Sequence, residues 1–314
     1  MIVSLLIFLA SLAVLIFASK AVINNSIKLS ERYGISQLAI GFIVIAIAVS
    51  LPDLMVSVMA AAEGSPDLGI GDALGSTVAN ICLVLGIATL IRKISVERKH
   101  VIDSTELLLL IGAIPAVFLV LGTLGRIEGV VLLLLFAIYC FFITKERFAL
   151  RLREFGAGES PAKILIMLLL SLAVVVASSR FVASSAKDMA ALLGFSNAVM
   201  GLTLVSFGTT LPELAVDFTA IRRGQIALAI GDILGSSVVN LTLVLGSVLV
   251  INPVSTIFSS FTVAISFVII ANTFLFYSLV KHEGIGKKQG IVFISLYILF
   301  LMASFGSVSL QSLF

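Results

Sequence analysis

Two carboxylates stand where a carboxylate is expensive. Asp53 and Glu213 each follow a proline, Pro52 and Pro212, inside long apolar stretches. A charge placed in hydrocarbon reads by default as a functional site. A proline in a helix interior cannot donate to the carbonyl one turn earlier, which leaves those of Ala48 and Gly208 open. Hydroxyls crowd the same turn, Ser50 in one stretch and Thr209 and Thr210 in the other. Carboxylate, hydroxyl and loose carbonyl together make an oxygen-only cation site. The alternative is a kinked helix whose hydroxyls bond back to their own backbone.

A second pattern lies downstream of each acid. Gly71, Asp72, Gly75, Ser76 and Asn80 spell GDxxGSxxxN, and so do Gly231, Asp232, Gly235, Ser236 and Asn240. Ser76 and Asn80 are four apart and share a helix face, as do Ser236 and Asn240. They offer neutral oxygens to a cation; otherwise they are interhelical glue among small residues. Asp72 and Asp232 are expected to open broken half-helices, either capping them or marking an entry path. Asp217 lies four residues after Glu213, where the first stretch has Ser57. Two acids so close in low dielectric do not both stay charged without a cation. Asp217 is therefore expected to be a protonation site or to face a water-filled vestibule.

The charge count selects the ion. Asp53 and Glu213 carry −2 together. Ca2+ takes 6–8 oxygens at about 2.3–2.6 Å, whereas Mg2+ demands strict octahedral geometry and keeps its waters. One Ca2+ neutralises the pair and so do two protons. The occupancies exclude each other, which is the physical basis of antiport.

These residues are held by a duplication. Gly41–Gly86 and Gly201–Gly246 align without a gap at an offset of 160, with 20 of 46 positions identical. Ser11–Val14 recurs as Ser171–Val174 at the same offset, so the first apolar run reads as structure and not as a signal peptide. The chain of 314 residues is 60% hydrophobic and 12% charged, with a mean hydropathy of +1.23. Soluble domains carry about 25% charged residues. Ten membrane spans are predicted, at about 2–22, 36–62, 66–91, 104–124, 127–144, 164–185, 196–221, 225–250, 255–280 and 290–312. Five spans separate each residue from its twin, so the repeats enter the membrane from opposite sides. The expected fold is an all-α integral membrane protein of ten transmembrane helices, two inverted five-helix repeats with broken helices at the midplane. Residues 1–147 form the first repeat, 148–160 a cytoplasmic connecting loop, and 161–314 the second repeat.

Seventeen of the 20 Lys and Arg residues fall on one side of that arrangement; Arg126, Arg180 and Lys187 fall on the other. The bias predicts both termini outside, and the expected location is a prokaryotic cell membrane, spanned many times. The bias reads as topology and lipid headgroup contact, not nucleic-acid binding. Cys82 and Cys140 read as packing residues. No cofactor and no obligatory protein partner are expected beyond the bilayer and the transported ions.

The segments SLPDL…GDALGSTVAN and GTTLPEL…GDILGSSVVN resemble the signature repeats of the calcium/cation antiporter superfamily, the sodium/calcium and proton/calcium exchangers. The resemblance implies Ca2+ exchange for H+ or Na+. It implies Asp53 and Glu213 as central calcium ligands, and Asn80, Asn240, Ser76 and Ser236 as flanking ones. Ser50, Thr209 and Thr210 would help bind the monovalent ion, and spans one and six would slide against a rigid core. The chain departs from sodium exchangers at Asp53, commonly Glu there, at Asn240, where they carry Asp, and at Ala48-Val49, where they carry Gly-Thr. Losing oxygens at Asn240 and Val49 leans the expectation towards protons. It also lacks the Gly-Asn-Ala context usual in proton exchangers. Two other classes compete. Gly69-Ile70-Gly71-Asp72 spells the GxGD of an intramembrane aspartyl protease, but Ala229 spoils the second copy and no Tyr-Asp partner occurs. A cation channel is the other, against which inverted repeats favour alternating access.

Overall fold

Apolar chain without water must satisfy its backbone internally, and nearly all the described residues do so as helix. The computed structural model describes residues 2–33, 46–94, 108–114, 117–118, 124–147, 160–192, 196–254, 258–282 and 284–311. Helix occurs in every predicted span: α1 (Ile2–Tyr33), α2 (Ala46–Val49, then Leu51–Ala62), α3 (Pro66–Ile91), α4 (108–114 and 117–118), α5 (Arg126–Arg147), α6 (Pro161–Leu192), α7 (Asn197–Arg222), α8 (Ile226–Ile251), α9 (Phe258–His282) and α10 (Lys287–Gln311). Seven helices among the described residues are long and apolar enough to cross a membrane. The first half of span two, including Gly41, and residues 148–159 of the connection lie outside the described residues. So do the basic residues Arg98, Lys99, Arg151 and Arg153.

The duplication repeats down to single hydrogen bonds. The turn from α2 to α3 runs through Gly64 at φ 77°, and that from α7 to α8 through Gly224 at φ 78°. Both are left-handed caps of the same form. Ser65 N–H donates to Ala60 and Gly64 N–H to Ala61, as Gln225 does to Ala220 and Gly224 to Ile221. Glycine takes that φ without a Cβ penalty. Isolated antiparallel bridges, Ile94 with Ile285 and Leu124 with Val254, tie the ends of one repeat to the other.

Burial separates core from rim. The spans α3, α7 and α8 are 78%, 78% and 83% buried, against 38% for α1, 33% for α6 and 28% for α10. The rim helices turn Phe17, Ile166, Leu169, Leu170 and Met302 outward, the arrangement of a lipid-facing surface. α1 packs along the length of α6, and both touch α7. The late half of α3 packs on α10, and its twin in α8 packs on α5. Small residues let the core close: a methyl built on Gly71 would lie 2.8 Å from the Ala198 carbonyl oxygen and 2.9 Å from the Leu202 nitrogen.

The interruptions are not where the prolines and glycines put them. Pro212 sits inside an unbroken α-helix, Ser206–Arg222. Only Pro52 is next to a break, a turn at Ser50. The core helices instead widen into π-helical turns at Ala79–Val84, Gly201–Val205 and Asn240–Val244. A π turn inserts a residue and leaves carbonyls out of the regular ladder, and such bulges are frequent at functional sites. GDxxG is regular helix, packed too tightly for a break.

Candidate cation site

Four helices meet at Asp53. It sits in the first turn of Leu51–Ala62 and is fully buried. Its Oδ1 accepts from the Ser76 hydroxyl of α3 at 3.3 Å. Thr209 of α7 and Asn240 of α8 stand beside it, and Ser76 and Thr209 are 3.4 Å apart. One carboxylate thus gathers a residue from each of the other duplicated helices.

Many polar groups on the same duplicated helices have no partner. Asp53 Oδ2, both oxygens of Glu213, the hydroxyls of Ser50 and Thr210 and every amide atom of Asn80 and Asn240 are buried without a hydrogen bond. Asn80 lies in the first π turn and Asn240 opens the one in α8. An unpaired buried polar group costs about 1–3 kcal/mol, and more when charged. So many orphans on the four duplicated helices, around the junction at Asp53, describe a site built around something that is not protein. No three His, Cys, Asp or Glu side chains converge on one metal position among the described residues. Two carboxylates completed by amides and hydroxyls are therefore the donor set on offer.

The charge is unbalanced as well. Asp53, Asp72, Glu213, Asp217 and Asp232 are all fully buried, and no Lys, Arg or His is buried among the described residues. The charges acting on Glu213 are Asp53, Asp232 and Asp217, all of its own sign. Such a pocket attracts cations and repels anions.

Asp72 and Asp232 do not cap helices. They lie inside α3 and α8, whose N-caps are Ser65 and Gln225. Asp72 Oδ2 accepts from Ser57 at 2.9 Å and Oδ1 from Thr209 at 3.0 Å. Thr209 also reaches its own helix carbonyls at Val205 and Ser206, so its single proton is shared among competitors. Asp232 Oδ1 accepts from Ser236 at 3.3 Å; that hydroxyl is also 3.5 Å from the Ala46 carbonyl. Asp217 faces Asp232. Sequence reasoning missed Ser57 as the partner of Asp72. The available signal was spacing: residues 72, 76 and 80 fall on one helix face with steps of four, and Ser57 stands four after Asp53.

The model of the family described as sodium/calcium exchanger protein matches residues 3–145 and again 163–306. The chain is 32% identical to the uncharacterized membrane protein MJ0091 of Methanocaldococcus jannaschii, over 93% of this chain and 95% of that one. It is 26% identical to the sodium/calcium exchanger MaX1 of Methanosarcina acetivorans, over 96% and 99%. Solved structures of the sodium-calcium exchanger NCX_Mj superpose with a TM-score of 0.81 at 31% identity, covering 95% of this chain and 97% of that one. The two matched segments are the two repeats of the fold.

Proposed function

The chain belongs to the sodium/calcium exchanger family, a family of transporters and not of enzymes, and within it we propose that this protein exchanges Ca2+ for a monovalent cation, H+ in preference to Na+. The observation that carries this reading is the junction at Asp53. There the duplicated helices bring buried carboxylate, amide and hydroxyl oxygens together with no protein partner for many of them. Asp53 and Glu213 hold Ca2+, and Asn80, Asn240, Ser76 and Ser236 complete its shell. Ser50, Thr209 and Thr210 serve the monovalent ion. With Ca2+ gone, two protons neutralise the same two carboxylates, so one site alternates between cargoes. Residues 1–147 and 161–314 are the two repeats, joined by 148–160. The α1–α6 pair slides past the core to expose the site to each side in turn, with both termini outside.

Protons are favoured because Asn240 and the fully buried Val49 withhold oxygens that sodium would use. The sodium/calcium reading is the second, favoured by the names of the relatives and neighbours. Calcium uptake into proteoliposomes separates them, with a pH gradient or a sodium gradient imposed alone. Uptake driven by the pH gradient supports proton coupling; uptake driven by sodium alone, with protons equilibrated by ionophore, replaces it with sodium coupling.

A further inference from the structure

At one pair of buried twin positions, Ser57 and Asp217, the two repeats differ by a charge. In the first repeat Ser57 donates to Asp72 at 2.9 Å, and Thr209 of the second repeat lies 3.0 Å from the other oxygen, its proton shared with its own helix carbonyls. The twins of Ser57 and Asp72 at offset 160 are Asp217 and Asp232. Here two carboxylates face each other. With both ionised neither has a proton to give. Both oxygens of Asp217 and Oδ2 of Asp232 have no partner, and both residues are fully buried.

Among the described residues no buried Lys, Arg or His supplies the missing positive charge. Arg222, the nearest basic residue along α7, is exposed, with its guanidinium 5.4 Å from the Phe218 ring centre. Arg223 is exposed too and donates to Asn24 of α1. Of the five buried carboxylates among the described residues, one Ca2+ at Asp53 and Glu213 neutralises two and leaves three. A second Ca2+ leaves only Asp72, to which the Ser57 hydroxyl already donates.

We propose that Asp217 and Asp232 form a second Ca2+ site, present in one repeat only, on the Arg222 side of the central site. Asp217 is four residues beyond Glu213, about 6 Å along the helix. Two carboxylates give up to four hard oxygens, the donor type that suits Ca2+. The site stages the ion on one side of the membrane, and Ser57 closes the equivalent position on the other. The two faces of the exchanger are thereby chemically unequal.

This rests on the proposed calcium exchange, and the test separates the two. Equilibrium dialysis of 45Ca2+ against the purified protein at fixed pH is expected to count two ions per chain. Asp217→Ser copies the arrangement the first repeat already tolerates and is expected to bind one. Asp217→Asn, close in shape, is expected to do the same and guards against a folding defect in the first variant. Asp53→Asn is expected to keep the second ion and lose the central one. A wild-type count of one that neither Asp217 variant changes overturns the second site and leaves the exchange intact. A count that Asp53→Asn does not lower overturns the central assignment instead.

Discussion

Replacing Glu213 by Gln should move calcium affinity and ion-free stability in opposite directions. The side chain keeps its shape and loses its charge. In the ion-free protein neither Glu213 oxygen has a partner, and every charge acting on it is negative. At a pH high enough to keep the ion-free site deprotonated, neutralisation therefore removes an unpaired buried charge, and the ion-free protein should melt higher. With Ca2+ bound the same change deletes half of the central charge. Removing one partner of a buried charge pair costs roughly 3–5 kcal/mol, or about 100- to 4,000-fold in affinity at 1.4 kcal/mol per decade. At a free Ca2+ of 100 times the wild-type Kd, binding stabilises the wild type by about 2.7 kcal/mol. From the central site the variant, at least about 100-fold weaker, should gain no more than about 0.4 kcal/mol by the same relation. Thermal melts in detergent, with EDTA and with Ca2+, read both quantities. A variant that melts lower than wild type in EDTA and keeps the full calcium shift would refute the placement of Glu213.

Three further outcomes are expected. Asn240→Asp combined with Val49→Thr restores oxygens beside Asp53 and should raise the sodium dependence of calcium flux; an unchanged dependence in vesicles clamped at one pH removes the argument from those two positions. Single cysteines at the termini, in a background without Cys82 and Cys140, should react with an impermeant maleimide in intact cells, and reaction only after permeabilisation reverses the topology. Gly71→Ala places a methyl 2.8 Å from the Ala198 carbonyl oxygen and should cost about 1–3 kcal/mol, seen as a lower melting temperature; a melting temperature equal to wild type shows that α3 and α7 can part.

The duplication was legible because it is written in residues that hydrocarbon does not require. Gly64 and Gly224, Asn80 and Asn240 recur at one offset, and their structural roles recur with them; Asp72 and Asp232 recur in position and differ in partner. The acids were legible for the same reason. The form of the interruptions was not, because a π turn has no composition of its own: Asn240–Val244 reads as ordinary apolar helix. Pro212 misled in the same way, since the core packed around α7 keeps the helix continuous where local rules predict a kink. The partner of Asp72 stayed hidden because Ser57 reaches it from another helix: spacing places each residue on a face, and packing decides which faces meet. Asp217 was visible as an odd charge, but its opposite number, Asp232, emerged only once α7 and α8 were set side by side.

The central claim is that Asp53 and Glu213 carry Ca2+ across the membrane only in exchange for another cation. It is tested most directly by concentrative 45Ca2+ uptake into proteoliposomes, comparing the wild type with Asp53→Asn. The wild type should accumulate calcium above its external concentration while a proton or sodium gradient lasts, saturate with external Ca2+, and stop when the gradient collapses. Asp53→Asn should accumulate none. Calcium flux that persists without any counter-gradient and never saturates, or that survives in Asp53→Asn, would contradict the account.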